Sequence, residues 1–216
     1  MHDQDLRVAM HAHLRALHAG EKDTLILNEF SVDGLDRIDL AAINDHLTGY
    51  ELKSARDSLV RLERQVWSYG RVMDYITIVT TSGHMRRALE IVPSWWGIIS
   101  AAPSRDEICL NRARKARRNP HVNTTSLAGL LWRDEALQVL TRHGIDSGVR
   151  TKSRAEICQR LATEMTLAQL RQEVTTKIRA RRGWRESPEP LQSGATLPSS
   201  GTTPRFLARR LVKQHH

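Results

Sequence analysis

The sequence lacks any long apolar run, and this absence excludes the simplest class of membrane protein. No stretch approaches the ~20 consecutive apolar residues that a membrane-spanning helix needs. The N-terminus carries Asp3 and Asp5 and three histidines by residue 13, so it lacks the basic-then-apolar layout of a signal peptide. We therefore expect a cytoplasmic protein with no membrane partner.

Cysteines are also scarce, and glycine-rich phosphate loops are missing. Cys109 and Cys158 are two residues far apart, too few for a metal-ligand cluster, and a single disulfide is not expected in the cytoplasm. Neither a G-x-x-x-x-G-K loop nor a G-x-G-x-x-G loop is present, so the sequence gives no indication of a nucleotide cofactor.

Acidic residues are depleted in the second half of the chain. Residues 1–100 contain 11 Lys and Arg against 14 Asp and Glu, a net charge of −3, whereas residues 101–216 contain 22 against 10, a net charge of +12. Such asymmetry is typical of proteins that bind a polyanion. Because no long basic helix with a bulky apolar face is present, we favour a nucleic acid over a membrane surface.

Hydrophobic periodicity predicts an α/β unit over residues 1–102, with a mixed sheet flanked by helices. We predict helices at 4–18, 58–73 and 85–91, and strands at 24–30, 37–43, 48–54, 75–80 and 94–99. The 40% of hydrophobic residues is enough to form a packed core for such a unit.

The remaining residues are divided into three segments. We predict a basic linker or exposed helix at 103–123, a small helical, DNA-binding region at 124–185, and a flexible tail rich in Ser, Pro, Gly and Thr at 186–216. In the helical region, Ser153 and Glu156 form a capping-box pattern. The candidate nucleic-acid-binding residues are Arg112, Arg114, Lys115, Arg117, Arg118, Lys177, Arg179, Arg181, Arg182 and Arg185.

Two predicted strands form a hairpin that brings acidic residues together. If Ile43 and Leu47 close the turn Asn44-Asp45-His46, antiparallel pairing places Asp39 opposite Glu51. Directly opposed like charges destabilise a hairpin unless they are compensated, and a divalent cation would compensate them.

The residue types around this hairpin suit phosphodiester hydrolysis. We predict a metal-ligand set of Asp39, Glu51, Glu29 and Leu52, with Mg²⁺ as the cofactor and Mn²⁺ as a possible substitute. Lys53, on the strand face of Glu51, would orient or deprotonate water or contact the phosphate. Gln65 and Tyr69, four residues apart on the next helix, would position the phosphate or the lysine.

The order of these residues, D…E-x-K on a hairpin, resembles the PD-(D/E)xK nuclease superfamily. The Gln65-x-x-x-Tyr69 pair that follows resembles the Q-x-x-x-Y motif of its RecB-like branch. Ile38 stands where a proline is common in the superfamily. The likeness is closer to the poorly characterised bacterial MmcB-like DNA repair group, and it rests on Asn28-Glu29-Phe30, Arg37-Ile38-Asp39, Tyr50-Glu51-Leu52-Lys53-Ser54, Asp57-Ser58-Leu59, Arg61-Leu62, Gln65 and Trp95-Trp96-Gly97.

The resemblance implies a restriction-endonuclease-like core, with Asp39 and Glu51 as metal ligands and Lys53 as a catalytic residue. The leading hypothesis is a metal-dependent DNA endonuclease or repair nuclease. One alternative is a catalytically inactive nucleic-acid-binding protein that retains the fold, and another is a structural protein in which Lys53, Asp39 and Glu51 form only an internal salt-bridge cluster. RNA is an alternative substrate. The sequence does not fix the oligomeric state, and a homodimer is one alternative.

Overall fold

Most helices and strands follow the apolar periodicity of the sequence. The structure is a computed structural model, and it describes residues 2–21, 23–32, 34, 36–104 and 107–181. In chain order the elements are α1 (Asp3–Leu17), β1 (Leu25–Ser31), β2 (Arg37–Ile43), β3 (Leu47–Lys53), α2 (Leu62–Gly70), β4 (Tyr75–Thr81), α3 (Ser82–Ile91), β5 (Gly97–Ser104), β6 (Glu107–Arg114), α4 (Thr124–Ala128), α5 (Arg133–Arg142), α6 (Arg154–Glu164) and α7 (Leu167–Ala180). This order confirms the predicted α/β class. The predicted tail at 186–216 lies outside the described residues.

The strands form one mixed six-stranded sheet in the order β1-β2-β3-β4-β5-β6. β3 pairs parallel with β4, and β4 pairs parallel with β5. The other three pairs, β1–β2, β2–β3 and β5–β6, are antiparallel. α2 and α3 supply the crossovers that parallel strands require. The carboxyl ends of β3 and β4 therefore lie at the same edge of the sheet.

The two faces of the sheet are buried by different elements. α1 covers one face through Leu6, Met10 and Leu14, which pack with Tyr50 and Leu52 of β3. The other face belongs to a larger core that runs on without a break into the helices after residue 123. Because neighbouring strand residues point to opposite faces, Glu51 and Lys53 lie on the face turned away from α1.

A buried ion pair fastens the helical region to the sheet. The Asp74 carboxylate, just before β4, accepts hydrogen bonds from the Leu47 N–H at 3.0 Å and from the Arg171 Nε–H of α7 at 2.6 Å. Both side chains of the pair are almost fully buried. Asn119 adds a second link, since its amide nitrogen donates to the carbonyl oxygens of Gly70 and Met73 at 2.7 Å each.

The segment predicted to be a basic linker or exposed helix differs from that expectation. Residues Glu107–Arg114 form the edge strand β6, which pairs with β5. Most of its side chains are exposed, so its sequence lacks the apolar alternation of an inner strand, and charged residues are typical of a sheet edge. The predicted last strand is also displaced, because a turn from Pro93 to Trp96 delays the start of β5 to Gly97.

Other predicted elements are found, some with different lengths. α2 is shorter than the predicted 58–73, since residues on both sides of it form turns. The Ser153–Glu156 capping box is present, with the Glu156 N–H donating to Ser153 Oγ. Within the described ranges, each helix is too short or too polar to cross a lipid bilayer.

Breaking the Asp74–Arg171 pair should destabilise the whole chain. We expect Arg171→Met to lower the free energy of unfolding by about 3 kcal/mol or more, because it leaves a buried carboxylate without its partner. Urea unfolding monitored by tryptophan fluorescence measures the change. The matched control is Arg160→Met, which removes an exposed i,i+4 pair with Glu164 and should cost less than about 0.5 kcal/mol. Equal losses in the two variants would contradict the structural role of Asp74.

Candidate functional site

The hairpin of β2 and β3 opens into a fork at Asp39. Pairing runs from Ile43↔Leu47 to Leu40↔Tyr50, in the register that the sequence predicts. At the next position the Asp39 carboxylate, and not the backbone of β2, accepts the Leu52 N–H, with 2.7 Å between N and Oδ2. The fork therefore places one acidic side chain between the two strands, beside Glu51.

Glu51 is the centre of a buried hydrogen-bond network. Its Oε1 accepts from Lys53 Nζ at 2.6 Å and from Gln65 Nε2 at 2.7 Å. The Tyr69 hydroxyl lies 3.0 Å from Glu51 Oε2 and 2.7 Å from the Arg37 carbonyl oxygen, so its single proton serves one of these acceptors at a time. Gln65 Nε2 also donates to the Tyr69 oxygen at 3.0 Å. The structure thus brings Lys53, Gln65 and Tyr69 together around one carboxylate.

Helical spacing explains how α2 contributes two side chains. Gln65 and Tyr69 are four residues apart and therefore project from one face of α2 toward β3. Both are buried, and among the described residues the Gln65 Oε1 has no hydrogen-bond partner. An acceptor oxygen in this position is available to a water molecule or to a ligand hydroxyl.

Burial sets the electrostatics of the site. Desolvation, followed by repulsion from Asp39, raises the pKa of Glu51 to about 7, against the opposing effect of Lys53. Burial also raises the pKa of Asp39, although the Leu52 N–H and Arg7 act in the other direction. The pKa of Tyr69 is raised by burial and by the charge of Glu51. Burial is the largest cause of the shift in all three groups, so the site is one in which charged forms are poorly solvated.

Arg7 of α1 is a member of this site that the sequence did not reveal. Its Nη2 donates to Asp39 Oδ1 at 3.0 Å and to Glu29 Oε1 at 2.9 Å, and its Nη1 donates to the Asp39 carbonyl oxygen at 3.0 Å. Arg7 reaches these acceptors from 22 and 32 residues away in the chain. Local periodicity shows only a polar position on an amphipathic helix, so no pattern near Arg7 could have identified it.

Glu29 has an unusual backbone conformation opposite Asp39. Its φ is +50°, and the paired residues Asn28↔Leu40 and Phe30↔Ile38 flank it on either side. A residue other than glycine with positive φ is rare, and such positions concentrate at functional sites. The kink leaves the Glu29 side chain about half exposed, joined to Asp39 through the shared Arg7 nitrogen.

The chemistry of these residues fits a divalent cation in part. Asp39 and Glu51 offer hard carboxylate oxygens, and a bound cation would favour the ionised form of both acids, whose pKa values are raised chiefly by burial. Leu52 lies between Glu51 and Lys53 on β3, and its N–H is already bound to Asp39. In the described part of the chain, no group of three or more His, Cys, Asp or Glu side chains converges to hold a metal. Of the predicted set, Asp39 and Glu51 lie at the hairpin fork, whereas Glu29 lies on β1 and is joined to Asp39 through Arg7.

The predicted nucleic-acid-binding residues fall into two places. Arg112, Arg114, Lys115, Arg117 and Arg118 line a cleft beside β6, on the α1 side of the sheet. In α7, Lys177 Nζ donates to Gln138 Oε1 at 2.6 Å. Arg179 is partly buried, and Arg182 and Arg185 lie outside the described residues.

Arg181 does not present its charge to solvent. Its side chain is 3% exposed, forms a salt bridge with Glu135 at 2.7 Å, donates to the Leu130 carbonyl oxygen and lies over the Trp132 ring. Arg181 therefore connects the end of α7 to α5. The pattern of charge along the sequence cannot distinguish such a buried arginine from an exposed one.

Comparison with known proteins identifies the family. The family model described as "Bacteriophage P4 protein cII" matches residues 1–187. This chain belongs to the bacteriophage P4 protein cII family. It is similar to "Protein cII" of Enterobacteria phage P4, with 27% identity over 160 residues, which cover 74% of this chain and 60% of the phage protein. Among solved structures it is similar to SPO1766, a protein of unknown function from Silicibacter pomeroyi, with 17% identity, a TM-score of 0.42 and coverage of 70% of this chain and 97% of that one.

The buried carboxylate of Glu51 in this cII-family protein should make stability depend on pH. Because its folded pKa of about 7 exceeds the ordinary value near 4.5, the folded state retains a proton that the unfolded state loses. The contribution of protonated Glu51 to the free energy of unfolding is therefore present at low pH and is lost as pH rises toward 7. We expect the stability of the wild type, relative to Glu51→Gln, to fall by about 2 kcal/mol between pH 5 and pH 7.

Urea unfolding of both proteins at pH 5, 6 and 7 measures this difference. Glu107→Gln, at an exposed position on β6, is the control and should follow the wild type at each pH. A constant difference between wild type and Glu51→Gln across this range would show that Glu51 is ionised throughout.

Proposed function

We propose that this chain is a Mg²⁺-dependent deoxyribonuclease with a restriction-endonuclease-like core of the PD-(D/E)xK type. The observation that carries the proposal is the buried cluster at the hairpin fork, in which Lys53 and Gln65 both contact Glu51 and Asp39 lies at the adjacent position. Two carboxylates can hold a metal ion that activates water, and a lysine can stabilise charge on the phosphate, which are functions that phosphodiester hydrolysis requires.

In this proposal the carboxylates of Asp39 and Glu51 hold the cation. Mg²⁺, or Mn²⁺ in its place, would supply a Lewis acid that acidifies water and neutralises charge on the phosphate. The Gln65 amide and the Tyr69 hydroxyl fix the orientation of Glu51 through hydrogen bonds of 2.7 and 3.0 Å. The Leu52 N–H does the same for Asp39. The ligands are thus oriented before substrate binds, which lowers the cost of reorganisation.

Lys53 has the second role. Its ammonium group lies beside Glu51 on the strand face that carries the carboxylates, so it can orient an attacking water or stabilise negative charge that develops on a phosphate oxygen. Lys53 is the last residue of β3, and its side chain is only 7% exposed. DNA is the proposed substrate, and RNA is the alternative.

A second candidate function is nucleic-acid binding without catalysis. The observation that favours it is the saturation of the carboxylates: every oxygen of Asp39 and Glu51 already lies within 3.0 Å of a protein donor. Arg7 and Lys53 supply two positive charges to the two acids. Such a neutralised cluster can brace a fold without binding a metal.

Cleavage assays distinguish these functions. Purified protein with Mg²⁺ or Mn²⁺ should cut at least one of single-stranded, duplex or branched DNA, and Asp39→Asn or Lys53→Ala should reduce the rate about 100-fold or more because each removes charge from the reacting centre. Asp134→Asn, at an exposed acid on α5, is the matched control and should retain full activity. Cleavage that survives both substitutions, or DNA binding with no cleavage of any substrate, would contradict the nuclease assignment.

Metal binding itself provides a separate prediction. Because Arg7 places a positive charge on Asp39 and Glu29, Arg7→Ala should tighten Mn²⁺ binding on the order of tenfold, equivalent to ~1.4 kcal/mol. Electron paramagnetic resonance titration of free Mn²⁺ measures the affinity. Arg86→Ala, at an exposed position on α3, should leave it unchanged. Weaker Mn²⁺ binding in Arg7→Ala would show that Arg7 orients the carboxylates and does not compete with the cation.

A further inference from the structure

A cleft of about 540 Å³ lies on the opposite side of the sheet from the Glu51 carboxylate. It is bounded by the C-terminal half of α1, the first residues of β3 and β4, and the chain from the end of β6 to residue 118. Tyr50 lines the cleft, whereas the next residue, Glu51, faces α2. Since adjacent strand residues project to opposite faces, the sheet itself separates the two sites.

The wall of the cleft is cationic. Five of its lining residues are Arg or Lys, namely Arg112, Arg114, Lys115, Arg117 and Arg118, and none of its lining residues is Asp or Glu. The pKa of His13 of α1 is lowered, first by burial and then by the positive charge of Arg112. A concave surface with one sign of charge concentrates ligands of the opposite sign.

Part of this cationic wall is held in place by the backbone. Arg114 donates to the carbonyl oxygens of Trp96 at 2.7 Å and Pro93 at 3.0 Å, and Arg117 donates to the Ser94 carbonyl oxygen at 3.1 Å. By contrast, the side chains of Arg112 and Lys115 are exposed. The cleft thus combines anchored arginines with cations that remain accessible to a ligand.

Gly97 allows the chain to cross the sheet at this point. A Cβ on Gly97 would lie 2.9 Å from the Ala116 backbone nitrogen, closer than real Cβ contacts allow, so only glycine lets residues 115–117 pass over β5. The Arg117 N–H donates to the Trp95 carbonyl oxygen at 2.8 Å and fixes this crossing. The position of the basic segment is therefore set by the fold before any ligand arrives.

The floor of the cleft has a different chemistry. Thr48 and Thr77 supply hydroxyl groups, and Tyr50 and Tyr75 supply aromatic rings. Tyr75 is half-buried and packs edge-on against His46. A cationic wall above a floor of rings and hydroxyl groups suits a molecule that is anionic at one end and carries a ring and polar groups at the other.

We propose that this cleft binds a nucleotide through its phosphate groups, with the cations of residues 112–118 on the phosphates and the tyrosine-lined floor against the sugar and base. The volume lies within the ~300–1,000 Å³ typical of small-molecule sites, so it suits one nucleotide and not a duplex. A free nucleotide and the terminal nucleotide of a nucleic-acid strand share this chemistry. The proposed site uses side chains to contact the phosphates and therefore needs no glycine-rich loop.

Calorimetric titration of the full chain tests the proposal, in EDTA so that no metal-dependent cleavage occurs. The probes are adenosine 5′-diphosphate and a short single-stranded oligonucleotide with either a 5′-phosphate or a 5′-hydroxyl end. Arg112→Ala/Lys115→Ala should weaken binding of the diphosphate at least tenfold, because each charged contact to a phosphate is lost. A preference for the 5′-phosphorylated strand that disappears in this variant would identify a strand end as the ligand.

The matched control is Arg86→Ala/Arg87→Ala, which removes the same charge from the exposed face of α3 and should change affinity less than twofold. Thermal unfolding of each variant verifies that the fold is retained, and Arg118→Ala provides a second, single test of the cleft. Undetectable binding of all probes to the wild type at 1 mM, or equal weakening in cleft and control variants, would overturn the proposal. Asp39→Asn should bind as the wild type does, so the outcome does not depend on the nuclease activity.

Discussion

The arrangement around the hairpin fork follows from the cost of burying negative charge. Glu51 is 1% exposed and Asp39 stands beside it, and carboxylates removed from water require either protons or partners. Three separate elements supply the partners: Arg7 from α1, Lys53 from β3, and the Gln65–Tyr69 face of α2. The packing of α1 and α2 on opposite sides of β3 can therefore be understood as the construction of one compensated site, whatever its activity.

The same constraint governs the connection between the sheet and the helical region. Asp74 is as deeply buried as Glu51, and it is neutralised by Arg171 from a helix 97 residues later in the chain. Arg181 is likewise committed to Glu135. Some of the +12 charge of the second half is thus used to hold the fold together, while Arg112, Lys115 and Arg118 stay exposed beside the cleft.

Sequence reasoning was most successful where the determinants are local. The turn at residues 44–46 fixes the register of β2 and β3, and the Ser153–Glu156 capping box fixes the start of α6, because each depends on residues a few positions apart. It was wrong at residues 107–114, where an edge strand exposes charged side chains and so resembles a linker. It could not find Arg7 or the buried state of Arg181, because both depend on partners brought close only by the complete fold.

Strand alternation also determines how the two proposed sites relate to each other. Tyr50 and Glu51 are consecutive, yet one side chain faces the cationic cleft and the other faces α2, with the full thickness of the sheet between them. A ligand in the cleft is therefore separated from the Glu51 carboxylate by the sheet. A nucleic-acid strand that used both sites would have to pass around an edge of the sheet, and β6 carries the cations at one such edge. Glu51 and the cations of the cleft thus lie on opposite faces, whereas Asp39 and Glu29 contact Arg7 of α1, on the side of the sheet where the cleft lies.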